Sequence, residues 1–72
     1  NGTVEHCVVF RKVYIDEGAV VRNSILMEGV RIGKNCVVEN AILDKEVSIS
    51  EGQQVIGKSS EEPIILKKGT KL

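Results

Sequence analysis

The sequence has almost no aromatic side chains. Among 72 residues there is no Trp, one Tyr (Tyr14) and one Phe (Phe10), although 42% of the chain is apolar. The interior must therefore be filled by Val, Ile and Leu, which favours strands over helices. Chains of this length bury only ~60% of the surface that they expose when unfolded, so a conventional core would be marginal. Internal repetition is one way around that limit.

The sequence also lacks net charge and long apolar runs. Ten basic residues balance ten acidic ones, so nothing attracts a nucleic-acid backbone or an anionic membrane. The longest apolar runs have three or four residues, far fewer than the ~20 needed to span a bilayer, and there is no signal peptide. The sequence predicts a cytoplasmic protein with neither nucleic acid nor a membrane as partner.

Cysteine is scarce as well. Cys7 and Cys36 fit no metal-ligand or redox spacing, so we expect two reduced thiols that serve only as small packing residues. The first residue is Asn1 rather than Met, and the chain is therefore expected to be a piece of a longer protein.

What the sequence does contain is a repeat of seventeen residues. Three consecutive rows align as VYIDEGAVVRNSILMEG, VRIGKNCVVENAILDKE and VSISEGQQVIGKSSEEP, starting at residues 13, 30 and 47. Val13, Val30 and Val47 share one column, and Ile15, Ile32 and Ile49 share another. A period close to three hexapeptides is the signature of a parallel β-helix.

Within one row there are three short pairs of inward-facing residues: Val13 and Ile15, Ala19 and Val21, and Ser24 and Leu26. Alternate residues of a strand share a face, so each pair predicts one short strand, and three strands close a triangular coil. The predicted fold is all-β: a single-stranded parallel β-helix, or hexapeptide-repeat prism, of about three to four coils.

Two columns predict the corners of the triangle. Gly18, Asn35 and Gly52 share one column, and Gly and Asn are the residues that enter the left-handed backbone region most easily. His6, Asn23 and Asn40 share a second, where polar side chains can bond their own turn backbone.

The third face allows two registers, because residues 8–10, 25–27 and 42–44 are each apolar at two or three successive positions. An inward Asp44 would be buried without a partner, so we expect Val9, Leu26 and Leu43 inward instead. An apolar stripe then lies on the outside, and such stripes usually mark a contact surface. The interface candidates are Val8, Phe10, Ile25, Met27 and Ile42.

We expect the third face not to be repeated after Val55 and the β-helix to end there, because Lys58 and Ser60 stand where small and aliphatic residues belong. We expect residues 1–57 to form the coils. Residues 58–72 are expected to form a capping or return segment of the same domain, which folds over or beside the last coil as one more strand.

Nothing in the sequence indicates an active site. Some hexapeptide acyltransferases use a histidine as general base, but His6 shares its column with Asn23 and Asn40, as a turn residue would. The acidic residues are spread over corners and outward positions, and single glycines form no phosphate loop. We predict no catalytic, cofactor-binding or metal-binding residue in this chain.

Residues 6–57 resemble the C-terminal β-helix domain of bacterial glucose-1-phosphate adenylyltransferases, the ADP-glucose pyrophosphorylases. The segments NSILMEGVRIG and AILDKEVSISEG carry the resemblance, and the tail EEPIILKKGTKL is most similar to the companion subunit of Gram-positive glycogen synthesis. The resemblance implies a left-handed coil.

The same resemblance implies a parent protein with an N-terminal domain that converts ATP and glucose 1-phosphate into ADP-glucose and pyrophosphate, with magnesium. It implies that the β-helix packs on that domain, joins sister subunits in a homo- or hetero-tetramer and helps to bind a small-molecule effector. Lys67 and Lys68 are the candidates for an anion contact. A hexapeptide acyltransferase, or another sugar-phosphate nucleotidyltransferase, is the alternative.

Overall fold

The computed structural model describes residues 2–59 and 61–72 and contains strands and turns but no helix in those ranges. Accordingly, no helix formed by the described residues could cross a membrane. Eleven short strands follow one another: β1 (Thr3–Glu5), β2 (Val8–Val9), β3 (Tyr14–Ile15), β4 (Val20–Arg22), β5 (Ile25–Leu26), β6 (Arg31–Ile32), β7 (Val37–Glu39), β8 (Ala41–Leu43), β9 (Ser48–Ile49), β10 (Gln54–Ile56) and β11 (Ile64–Leu66).

The strands form three parallel sheets, which are the three faces of a prism. Face A contains β1, β4, β7 and β10, face B contains β2, β5, β8 and β11, and face C contains β3, β6 and β9. From β1 to β10, strands on neighbouring coils pair residues that are seventeen apart, such as Val4 with Val21 and Ile15 with Ile32. The predicted hexapeptide-repeat β-helix is confirmed.

Repeat-equivalent side chains stack in inward columns. Ile32 and Ile49, which share the predicted column with Ile15, are only 1% and 3% exposed. Ala19 and Cys36 are fully buried in another column, as expected for positions that require small side chains. Ser24 is buried too. Its hydroxyl donates to the Arg22 carbonyl at 2.7 Å, so burial does not leave this donor unpaired.

The corners have the backbone conformation that the sequence predicted. Gly18, Asn35 and Gly52 all have positive φ, between 57° and 79°. The corner of His6, Asn23 and Asn40 has positive φ as well, from 48° to 51°. One detail differs from the prediction: the Asn40 side-chain amide donates to the Gly57 carbonyl on the next coil, at 3.4 Å, rather than to its own turn.

The third face, face B, has the register that was expected from the position of Asp44. Leu26 and Leu43 are fully buried. Ile25 and Ile42, which precede them in their strands, point outward. Asp44 lies just beyond β8, where its carboxylate accepts a hydrogen bond from the Lys45 amide at 2.6 Å. The argument from the cost of burying a lone carboxylate therefore selected the right register.

The expectation that face B is not repeated after Val55 is wrong. β11 is parallel to β8, with Ile64 opposite Ala41 and Leu66 opposite Leu43, so it continues the same sheet. These pairs are 23 residues apart instead of 17, because six extra residues, 58–63, lie between β10 and β11. Lys71 then bridges to Ser48 in parallel and extends face C. The tail does add one more strand, but that strand belongs to a fourth coil.

Candidate interaction surface

A column of four aliphatic side chains runs along the outside of face B. Val8 pairs with Ile25, Ile25 with Ile42, and Ile42 with Ile65, so the column crosses every coil. Val8 and Ile65, at its two ends, are 55% and 64% exposed, whereas Ile25 and Ile42 are half-buried between their neighbours. We call these four residues the apolar column.

Sequence reasoning missed Ile65. It read the tail as a segment outside the repeat, so it did not align the motif Ile64-Ile65-Leu66 with Ala41-Ile42-Leu43. The sequence signal that could have found it is the match of Ile64-Ile65-Leu66 to Ala41-Ile42-Leu43 once a six-residue insertion is allowed in the repeat.

A second outward column lies where the chain leaves face B. It holds Phe10, Met27, Asp44 and Lys67, each of which directly follows the last inward residue of its strand. Phe10 is 53% exposed and Met27 is half-buried. The apolar surface on the first two coils is therefore about two side chains wide, and on the last two coils it is bordered by charge.

The outward columns of the other faces are more polar. On face A, Arg22 donates to the carboxylates of Glu5 and Glu39, both at 3.0 Å. The hydrogen bond to Glu39, then that to Glu5, raise the pKa of the Arg22 guanidinium, which stays charged. Face A also has two outward valines, Val20 and Val37, but its end coils place Thr3 and Gln54 in that column.

Face C carries mixed polar groups. Its outward column is Tyr14, Arg31, Ser48 and Lys71. Among the described residues, an aliphatic column that spans all four coils therefore occurs on face B alone.

The side chains that could carry out chemistry are the histidine and the two thiols. The half-buried Cys7 directs its thiol at the carbonyls of Glu5, 3.0 Å away, and Val21, 3.4 Å away. His6 is exposed at its corner, and Cys36 is buried with its thiol directed at the Ser50 carbonyl, 2.9 Å away. No group of three or more His, Cys, Asp or Glu side chains suited to a metal ion occurs within residues 2–59 and 61–72.

The two lysines proposed for an anion contact are exposed but lie in different surroundings. Lys67 follows β11 in the column of Asp44. Lys68 borders a shallow groove of about 280 Å³ at the corner after face B, together with Lys12, Glu28, Gly29, Lys45 and Glu46. Three lysines and two glutamates leave this groove with little net charge, and an anion contact there stays a prediction.

The chain matches a family model. The family is described as GlmU-like, C-terminal hexapeptide, and the match covers residues 1–64. The chain belongs to this family. The GlmU-like hexapeptide match extends through the six-residue insertion to the first residue of β11, so the insertion lies within the family's repeat domain. Comparison with curated proteins finds no match, and neither does comparison with solved structures.

Membership of the GlmU-like hexapeptide family gives the chain a coarse function. It is a hexapeptide-repeat domain of the kind carried by nucleotidyltransferases and acyltransferases.

Proposed function

We propose that this chain is the structural and regulatory C-terminal domain of a glucose-1-phosphate adenylyltransferase of glycogen biosynthesis. In that protein an N-terminal domain would convert ATP and glucose 1-phosphate into ADP-glucose and pyrophosphate, with magnesium. The β-helix would pack on that domain and on sister subunits in the cytoplasm. The resemblance of Asn23–Gly33 and Ala41–Gly52 to such proteins supports the enzyme class.

The apolar column is the observation that carries the structural role. Four aliphatic side chains in register on one face of a small domain form a contiguous patch, and such patches mark contact surfaces more often than isolated exposed residues do. The reactive side chains give no comparable signal: His6 is a corner residue, Cys7 directs its thiol at backbone carbonyls, and the Cys36 thiol is buried. A domain of this kind contributes contacts rather than a reaction.

The coding sequence upstream and one assay test the proposal together. A glycine-rich nucleotide-binding segment within the preceding few hundred residues supports a nucleotidyltransferase, whereas further coils support an acyltransferase. The protein encoded by the whole gene is then incubated with ATP, glucose 1-phosphate and magnesium, alone and with its companion subunit, and pyrophosphate release is measured.

We expect the longer protein to release pyrophosphate itself, or to change the rate or effector response of the companion subunit. Transfer of an acyl group from a thioester donor would overturn the proposal in favour of the acyltransferase alternative. Use of a different nucleotide or sugar phosphate would place the chain in another nucleotidyltransferase. The 72-residue chain alone is expected to give no turnover, and measurable turnover would contradict that.

A further inference from the structure

We propose that the apolar column is the contact between two copies of this chain, arranged antiparallel with their B faces together. This inference rests on the proposed structural role of the column, and it names the partner. It does not depend on which reaction the longer protein catalyses.

The length and composition of the column suit a contact with itself. On face B the apolar column begins with Val8 on the first coil and ends with Ile65 on the fourth, and both side chains are more than half exposed. A two-fold axis that lies in the interface and runs along the strands reverses the order of the coils. Val8 then faces Ile65 of the second copy, and Ile25 faces Ile42 of the second copy. Every aliphatic side chain has an aliphatic partner, as an isologous interface requires.

The flanking side chains favour this direction. In the antiparallel arrangement the exposed ring of Phe10 comes opposite Lys67 of the second copy, where an ammonium group can lie over the aromatic face. At the adjoining corner, Glu28 comes opposite Lys45 of the second copy, an attraction that the symmetry repeats. Arg11 and Lys68 also come opposite each other, but at the exposed ends, where salt screens their repulsion.

A parallel arrangement lacks these pairs. A two-fold axis along the prism keeps each coil level with its copy and places the Phe10–Lys67 column opposite the corner of His6, Asn23 and Asn40. Lys67 then loses the aromatic ring, and Glu28 no longer comes opposite Lys45. Asp44 does not discriminate, because it faces the Asn40 amide in the parallel arrangement and Met27 in the antiparallel one. Complementary charge specifies orientation in interfaces more than it adds affinity, so it selects between the two directions.

The contact is expected to be weak in the isolated chain. A face four coils tall measures only ~19 Å along the prism, and a standard interface buries ~800 Å² on each partner. Sedimentation equilibrium should therefore cover concentrations up to about 1 mM, where weak interfaces are populated. We expect a monomer–dimer equilibrium in this range, and a chain that stays monomeric throughout would overturn the proposal.

A matched pair of variants locates the interface. Ile25→Lys places a charge in the centre of the apolar column, and the two-fold symmetry introduces it twice, so we expect dimerisation to weaken about tenfold or more. Val20→Lys places the same charge on the same coil, on the outside of face A, and should leave dimerisation unchanged. Equal effects of the two variants would exclude face B. Circular dichroism of each variant checks that the β-helix is retained.

Disulfide trapping tests whether the two copies are antiparallel or parallel, and it does not depend on the lysine variants. The native thiols are first replaced as Cys7→Ser and Cys36→Ala, the residues that occupy the same columns at Ser24 and Ala19. Val8→Cys and Ile65→Cys are then made in separate chains, which are mixed and oxidised. In a parallel arrangement Val8 of one copy and Ile65 of the other would lie three coils apart along the prism, ~14 Å, too far for a disulfide.

The antiparallel arrangement predicts that the mixture forms disulfides between the two variants, while each variant alone stays mostly uncrosslinked. Symmetric disulfides from Val8→Cys alone or Ile65→Cys alone would show a parallel arrangement and overturn the proposal. Absence of any disulfide in a mixture that sediments as dimers would place the contact on another surface, and would overturn it as well.

Discussion

At the residue scale, the fold depends on corners in which the backbone adopts positive φ. Two of the three corners could be predicted, because Gly18, Asn23 and Asn35 are residues that tolerate this conformation. The third was missed, although Gly29 and Gly69 in its column also have positive φ. The other two members of that column are Lys12, with a φ of 58°, and Glu46, with a φ of 59°, and neither residue type favours the left-handed region. Closure of the triangle imposes that conformation, and the packed inward columns compensate for its cost.

Gly52 allows the backbone cost of a corner to be measured without a steric contribution. Its φ is 79°, and a Cβ atom placed there would meet no atom within 4 Å. Gly52→Ala is expected to lower the free energy of unfolding by about 1–2 kcal/mol, the cost of an alanine in the left-handed region. Gly52→Asn should cost clearly less, because Asn35 occupies the equivalent corner of the preceding coil. Urea denaturation measures both, and equal losses would contradict this account.

At the scale of elements, the sequence predicted most strands because each contributes an inward pair at a regular spacing. It failed at β11, since six inserted residues shift the tail out of phase with the repeat. Composition added to the error: Ile64 occupies a column that Cys7, Ser24 and Ala41 fill with small side chains. A larger side chain fits there because Ile64 lies on the last described coil and remains half-buried, with no further layer stacked above it.

The insertion at residues 58–63 should be dispensable for the fold. The Gly57 amide donates to the backbone carbonyl of Glu39, and the Ile64 amide donates to the backbone carbonyl of Asn40, the next residue in the chain. The two ends of the insertion are close, since a Cβ atom on Gly57 would lie 3.0 Å from the Ile64 nitrogen. Joining Gly57 directly to Ile64 restores the seventeen-residue period.

We expect the shortened chain to fold with β11 still paired with β8. Its free energy of unfolding should change by no more than about 1 kcal/mol, because the entropy of closing a loop depends only weakly on loop length. Cross-strand nuclear Overhauser effects between Ile65 and Ile42 would report the pairing. Loss of these contacts would show that the insertion itself positions β11. Replacing the six residues by six glycine and serine residues is the control, because it keeps the length and removes the side chains.

At the scale of the whole molecule, the two ends of the prism differ. Val4 and Val55 are the first and last members of one inward column on face A, yet Val4 is 44% exposed and Val55 is only 4% exposed. Val9, in an inward column of face B, is also 44% exposed. The first coil of this chain therefore contributes less buried apolar surface than the coils above it, and terminal repeats without a cover are the least stable part of a solenoid.

This difference predicts a gradient of stability that one column can reveal. Val4 and Val38 are the same residue type in the same inward column, but Val38 has no exposed surface. Val38→Ala should lower the free energy of unfolding by about 2 kcal/mol, since it removes two buried methyl groups and leaves a cavity between coils. Val4→Ala should lower it by less than about 1 kcal/mol, because water already contacts that side chain.

Hydrogen exchange provides the independent measurement. The amides of Val8 and Tyr14, which join the first coil to the second, should exchange through local opening, whereas those of Arg31 and Val37 should exchange only when the whole chain unfolds. Val38→Ala should then accelerate exchange only at Arg31 and Val37, because Val38 stays packed while the first coil is open. Val4→Ala should accelerate exchange at all four amides by a similar small factor, because Val4 loses its contacts in the local and in the global opening. Uniform protection in the native chain would contradict the gradient, because it would mean that the open coil unfolds only together with the rest.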